Sequence, residues 1–249
     1  MEMNRKKFQG VLNIISFNRH FYAFGVSCLA LIVGSQFVFD WDKNVFWLIL
    51  VGFIYGLTMP LIISAYVYDF SGFYNFDWLK KMALNDTPQN LNLNINAGFD
   101  EASYIIKNIL PSSELQVYDF YNAQQHTESA IIRARKVSSV YPNTQQIDAN
   151  KIPLKDNSVD NIFLISAIHE IRKQKQKVQF LRECRRVCKP SGNVIMVEHL
   201  RDLPNILAFT VGVTHFFPKT TWEKAFKEAG FLTVSEKKFT PFMSIFNCK

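Results

Sequence analysis

Two places in this chain set an imidazole beside a carboxylate: His169-Glu170 in ISAIHEI and Glu198-His199 in MVEHL. A histidine next to a carboxylate can take up a proton near neutral pH, which makes His169, His199 and Glu198 the candidate catalytic residues. The structural alternatives are that His169 starts a helix and that Glu198 pairs with Arg201. Neither pair reads as a zinc site, because HEI lacks the second histidine that a helical i,i+4 ligand pair requires, and no metal is expected. His215 lies in GVTHFFPKTTW, an aromatic stretch suited either to the mouth of a site or to ordinary packing. Three acidic positions close or follow apolar runs: Asp100 with Glu101 in LNLNINAGFDE, Asp119 in LQVYD and Asp148 in IDANKI. An acid at the end of a second strand accepts hydrogen bonds from ribose hydroxyls in dinucleotide folds; a turn aspartate is the alternative for Asp119.

These residues need strands that end at one edge. Strand patterns run over Leu91–Ile95, Leu115–Tyr118, Gln145–Ile147, Val159–Ile165, Asn193–Glu198, Leu232–Lys238 and Met243–Asn247, with helices over Ala102–Leu110, Gln124–Lys136, Lys175–Cys188 and Thr221–Ala229. Pro111 stops one helix, KPSG at Lys189 turns the chain, and Gly230 caps another. The alternation predicts a doubly wound, mostly parallel sheet whose ligand lies at the carboxyl ends of its strands.

The first seventy residues differ in kind. No charge interrupts Phe21–Phe39 or Val45–Tyr68, and each run approaches or exceeds the ~20 apolar residues that cross ~30 Å of hydrocarbon. A five-residue polar link makes them antiparallel neighbours, with Trp41 and Trp47 at the interface. Gly52, Gly56 and Pro60 offer a close helix contact or a kink. Arg5, Lys6, Lys7 and Arg19 precede the first run and Lys80 and Lys81 follow the second, so both ends are expected in the cytoplasm. The four cysteines form no CxxC pair. The net charge of +7 comes without a nucleic-acid motif, and the basic run from Arg172 to Lys177 suits anionic headgroups better.

From about Pro88 onward the chain resembles class I S-adenosylmethionine-dependent methyltransferases. Asp148, Ile152-Pro153, Asp156, Ser158, Asp160, Leu181, Glu183, Arg186-Val187, Lys189-Pro190 and Gly192 follow in the order of that family's second half. The resemblance implies S-adenosylmethionine as cofactor, with Asp119 at the ribose and Asp148 with the amide of Ala149 at the adenine. The family's first strand ends in an acid followed by three glycines at alternate positions. Here Asn94 takes the acidic place, and Asn96, Gly98 and Asp100 take the glycine places. Asparagine tolerates the left-handed region, so Asn96 is expected to keep the turn and Gly98 the close approach. Asp100 and Glu101 are expected either to cap the next helix or to pair with the cofactor's ammonium group.

The expected architecture is thus α/β: a Rossmann-like methyltransferase domain over residues 88–249, behind a basic cytoplasmic segment 1–20, spans 21–39 and 45–68, and an interfacial linker 69–87 containing an amphipathic helix around Phe76–Leu84. The expected activity is methyl transfer to a lipophilic small molecule of the membrane: a quinone precursor, a phenolic or polyene pigment, or a lipid. The depleted glycine loop leaves two other readings, an inactive methyltransferase-like membrane scaffold and a site for a different nucleotide. A one-glycine loop makes a poor pyrophosphate cradle for the latter.

Overall fold

The structure, a computed structural model, describes residues 5–125 and 128–249. Residues 1–4 of the basic segment, and 126 and 127 of the helix expected over Gln124–Lys136, lie outside the described residues.

A short helix α1 (Gln9–Phe17) leads into α2 (Arg19–Phe39) and α3 (Lys43–Ser64). Asp42 starts α3 by accepting hydrogen bonds from the amides of Asn44 and Val45 at 3.0 and 3.1 Å. At 1.5 Å per residue, 21 and 22 residues give helices of about 31–33 Å, long and apolar enough to cross a membrane. Their large side chains point outward: Phe24, Leu31, Phe37 and Leu48 are 70%, 73%, 86% and 75% exposed. Of the two alternatives offered, the close contact is not made at Gly52 or Gly56, since no described residue lies within 4 Å of a Cβ placed at either. It occurs instead at Gly25, where an added Cβ would come 2.5 Å from Leu57 Cδ2.

Seven strands form one sheet, β1 (Leu91–Asn96), β2 (Glu114–Asp119), β3 (Gln145–Gln146), β4 (Val159–Ile165), β5 (Cys188–His199), β6 (Val234–Thr240) and β7 (Met243–Cys248), in the order 3-2-1-4-5-7-6. Strands β1 to β5 run parallel, and β7 is antiparallel to both neighbours. The order reverses between β1 and β4, which places the ligand edge at their carboxyl ends. One face is covered by α7 (Gln174–Val187) and α9 (Lys219–Ala229), which bury Phe180, Leu181, Trp222 and Phe226.

The opposite face differs from expectation. Residues 69–87 hold the end of a π-helical turn (Ala65–Phe70), a 3-10 turn (Phe73–Asn75) and the short helix α4 (Asp77–Lys80) rather than a longer amphipathic helix, and Phe73, Phe76, Trp78 and Leu79 are buried with Ile195, Val197 and Met243 of the sheet and Ile106 of α5 (Ser103–Ile109). The alternating asparagines of LNLNIN are explained in the same region. Asn92 accepts from Asn161 Nδ2 at 2.8 Å and donates to Ser113 Oγ at 2.6 Å, while Asn161 accepts from Asn193 Nδ2 at 2.9 Å. A ladder of buried amides thus crosses β1, β4 and β5, satisfying groups that are costly to bury unpaired.

Candidate active site

Strand β1 delivers the chain to a turn centred on Gly98, whose φ of +90° favours glycine. Asn96 supports that turn differently from expectation: its backbone stays in the strand, and its Oδ1 accepts from the Gly98 amide at 2.8 Å. Asp100 caps α5, with Oδ1 accepting from the amides of Ala102 and Ser103 at 3.0 Å each. Asn94 donates to Ser103 Oγ at 2.8 Å. Burial raises the pKa of Asp100 above the usual carboxylate range. Three buried polar atoms here, Asn96 Nδ2, Asp100 Oδ2 and Ser166 Oγ, have no hydrogen-bond partner among the described residues, and all three residues line one cavity of about 640 Å³. A donor and an acceptor left unpaired on one cavity wall fit the carboxylate and ammonium of an amino acid. Glu101 is engaged elsewhere: it pairs with Arg5 at 2.8 Å and accepts from the Tyr74 hydroxyl.

Asp119 ends β2 with both oxygens in use, Oδ1 on the Tyr121 amide at 2.7 Å and Oδ2 on Arg135 Nη1 at 2.6 Å. Arg135 comes from α6 (Ser129–Val137), lies over the Tyr121 ring and presses against Gly98, where any Cβ would strike it. The close approach predicted at Gly98 is therefore made by a side chain of the same protein. Asp148 sits in a turn, with Oδ1 accepting from the Asn150 amide at 2.7 Å. With Ala149 it lines a second cavity of about 580 Å³ beyond the ends of β2 and β3.

The two histidines of the sequence motifs have unlike surroundings. His169 lies in the middle of a 3-10 turn after β4 (Ile168–Glu170), and its Nδ1 lies 2.7 Å from Glu198 Oε2 while Nε2 lies 3.5 Å from Glu170 Oε1. Burial works to lower its pKa, but Glu198 and Glu170 overcome that and hold it at about 10. His199 Nδ1 lies 2.8 Å from the Phe242 carbonyl, which can only accept, so Nδ1 carries the hydrogen and Nε2 accepts from the Tyr68 hydroxyl at 2.8 Å. Burial keeps His199 neutral, with its pKa pushed down to about 4. Both its nitrogens are engaged inside the protein.

A lid completes the cavity: α8 (Leu203–Phe209) and a 3-10 turn over Thr210–His215, resting on α3 through a 2.7 Å bond from the Tyr55 hydroxyl to the Leu207 carbonyl. This turn brings His215 within a 4.8 Å ring-centroid distance of His169, and His215 Nδ1 within 3.1 Å of Glu128 Oε2. Tyr68, Glu128 and Arg135 carried no signal in the sequence. Each lies in an apolar run or a surface-patterned helix and acquires meaning only from distant partners.

Residues 111–196 match the methyltransferase domain family. The sheet is shared with solved structures at low identity. A candidate O-methyltransferase of Nostoc punctiforme is 15% identical with a TM-score of 0.56, over 98% of this chain and 73% of that one. The PH0226 protein of Pyrococcus horikoshii is 18% identical with a TM-score of 0.52, over 72% and 89%. Human N-acetylserotonin methyltransferase, solved with S-adenosylmethionine, is 16% identical with a TM-score of 0.50, over 90% and 66%. Among curated proteins no sequence matches. By its domain match over residues 111–196 and its 3-2-1-4-5-7-6 sheet, the chain is similar to the class I S-adenosylmethionine-dependent methyltransferases.

Proposed function

We propose that this protein transfers the methyl group of S-adenosylmethionine to a lipophilic small molecule that reaches the site from a membrane. One observation carries the reading: the same cavity is walled by Phe21 and Tyr22 of α2, by Pro60 and Ser64 of α3, and by Asn96 and Asp100 of the cofactor loop. An acceptor dissolved between the apolar helices has a route to the reactive end of the sheet without crossing water.

The cofactor supplies an electrophilic methyl group on a sulfonium. The remaining work falls to the chain. Asp100 Oδ2 takes the ammonium and Asn96 Nδ2 the carboxylate of the methionine part. Asp119 holds the ribose once Arg135 is displaced, and Asp148 with the Ala149 amide holds the adenine edge. Asn94 and Gly98 shape the loop, whereas Glu101, bound to Arg5, stabilises its N-terminal cover. With its ring fixed by Glu198, His169, charged near neutral pH, stabilises through its Nε2 hydrogen the oxygen of a phenolic or enolic acceptor whose own proton has been released to water. His199 orients Tyr68 at the cavity wall. Positioning and charge stabilisation do most of the work in such a transfer.

A calorimetric titration of detergent-solubilised full-length protein with S-adenosylhomocysteine tests the cofactor. Binding is expected, weakened by about 2 kcal/mol in Asp119→Ala, the scale of hydrogen bonds to a charged group. Methyl-labelled cofactor incubated with membrane lipid extract then tests the acceptor, with label expected in the organic phase. Cofactor binding without any transfer would favour the inactive scaffold, a reading to which the Arg135–Asp119 pair and the single glycine lend support. Unchanged affinity in Asp119→Ala would move the ribose elsewhere.

A further inference from the structure

We infer that His169, Glu170 and His215 form a binding site for a divalent transition-metal ion at the acceptor end of the cavity. The inference rests on reading that cavity as the acceptor site. The second histidine that the HEI motif lacks is supplied by the lid, across the cavity mouth.

The geometry is that of a site prepared on both sides. Nε2 of His169 and Nε2 of His215 lie 3.5 and 3.8 Å from the same oxygen, Glu170 Oε1. Zinc bonds of ~2.05 Å in a tetrahedron separate neighbouring ligand atoms by about 3.3 Å, so these two edges are within a few tenths of an ångström of the required length. The donor atoms of all three residues lie within 4.8 Å of one another. Each imidazole also has a carboxylate on its far nitrogen: Glu198 lies 2.7 Å from His169 Nδ1, and Glu128 lies 3.1 Å from His215 Nδ1. Metal-bound histidines are oriented in this way, with an outer carboxylate holding the hydrogen on one nitrogen so that the other presents its lone pair.

Charge agrees with geometry. Glu128, Glu170 and Glu198 face the two rings, against one nearby guanidinium, that of Arg172, which is turned to the carbonyls of His215 and His169 at 2.7 and 3.2 Å. With both imidazoles neutral, the three carboxylates outnumber the two cations among the described residues, Arg172 and the Lys177 ammonium that interacts with Glu198, and the net negative charge favours a bound cation. Two imidazoles and one carboxylate form a set suited to zinc or its first-row neighbours; a bound ion would displace the proton from His169 Nε2 and take over its contact with the acceptor's oxygen.

The test uses full-length protein in detergent, dialysed against a chelator and then given zinc. One zinc per chain is expected to survive gel filtration and to be lost in His215→Ala, while Glu198→Gln weakens affinity by roughly 10–100-fold, as loss of an outer carboxylate does. Melting curves check that His215→Ala is folded; if it is not, Glu128→Gln, half exposed in the free protein, takes its place, with weakened zinc binding expected. No stoichiometric zinc in the wild type, or zinc retained undiminished in the folded variants, overturns the inference. S-adenosylhomocysteine titrated into the same samples separates the two readings. Cofactor binding without zinc sinks the metal site alone, and zinc binding without cofactor sinks the methyltransferase reading while the metal site stands.

Discussion

Arg135 and Asp119 put the two halves of the candidate cofactor site in competition with the protein's own chemistry. The acid expected at the ribose is held by a guanidinium that is a third exposed. Such a partly screened pair is worth up to about 1 kcal/mol. Removing it as Arg135→Ala is expected to tighten S-adenosylhomocysteine binding by roughly fivefold in calorimetry, that same energy returned to the ligand. His199 makes a second prediction at this scale. Its folded pKa of about 4 lies below the unfolded 6.5, so the unfolded chain binds more protons between those values. The contribution of His199 to stability is complete above about pH 6.5 and falls away as pH drops toward 4, by up to about 3 kcal/mol. Denaturant midpoints measured across that window are expected to slope less in His199→Gln than in the wild type.

Among the elements, the strands and long helices were legible because apolar spacing dictates them: β4 spans Val159–Ile165 as expected, and α7 and α9 lie within two residues of their expected bounds. The lid was not read, although Asp202 followed by Leu203-Pro204 carries a start signal; seven residues are too few to show a helical period. Asparagines at alternate positions of β1 look like a wet face from sequence alone, and only distant partners, Asn161 of β4 for Asn92 and Ser103 of α5 for Asn94, show why they are buried. The cluster around His169 was half legible: the HE and EH pairs stand in the sequence, but the approach of His215 and Glu128 depends on how the lid and α6 cross the sheet edge. Asp202 caps α8 through the Asn205 amide at 3.2 Å and binds Lys238 at 2.6 Å. Asp202→Ala is expected to cost about 1 kcal/mol and lower Tm by roughly 2–4 °C in a thermal melt.

For the whole molecule, the decisive asymmetry is between a well-packed sheet domain and two helices most of whose apolar side chains face outward. The share of their most apolar windows buried inside the protein is 6% and 0%. Ile54, near the middle of α3 and 42% exposed, tests whether lipid is the missing partner. An arginine at the centre of a span costs about 2.5–3.5 kcal/mol on insertion. Ile54→Arg is therefore expected to shift the protein out of the carbonate-washed membrane fraction, and an unchanged distribution would argue that the helices are covered by protein instead.

The wall shared by α2, α3 and the cofactor loop changes what concentration means for such an enzyme. On the proposed reading, one reactant arrives by diffusion in three dimensions and the other in two. The acceptor is then sensed as its mole fraction among lipids, and its abundance per volume of cell loses its hold on the rate. A membrane that grows while its acceptor pool stays constant would slow this catalyst by surface dilution, with no inhibitor and no change in the protein.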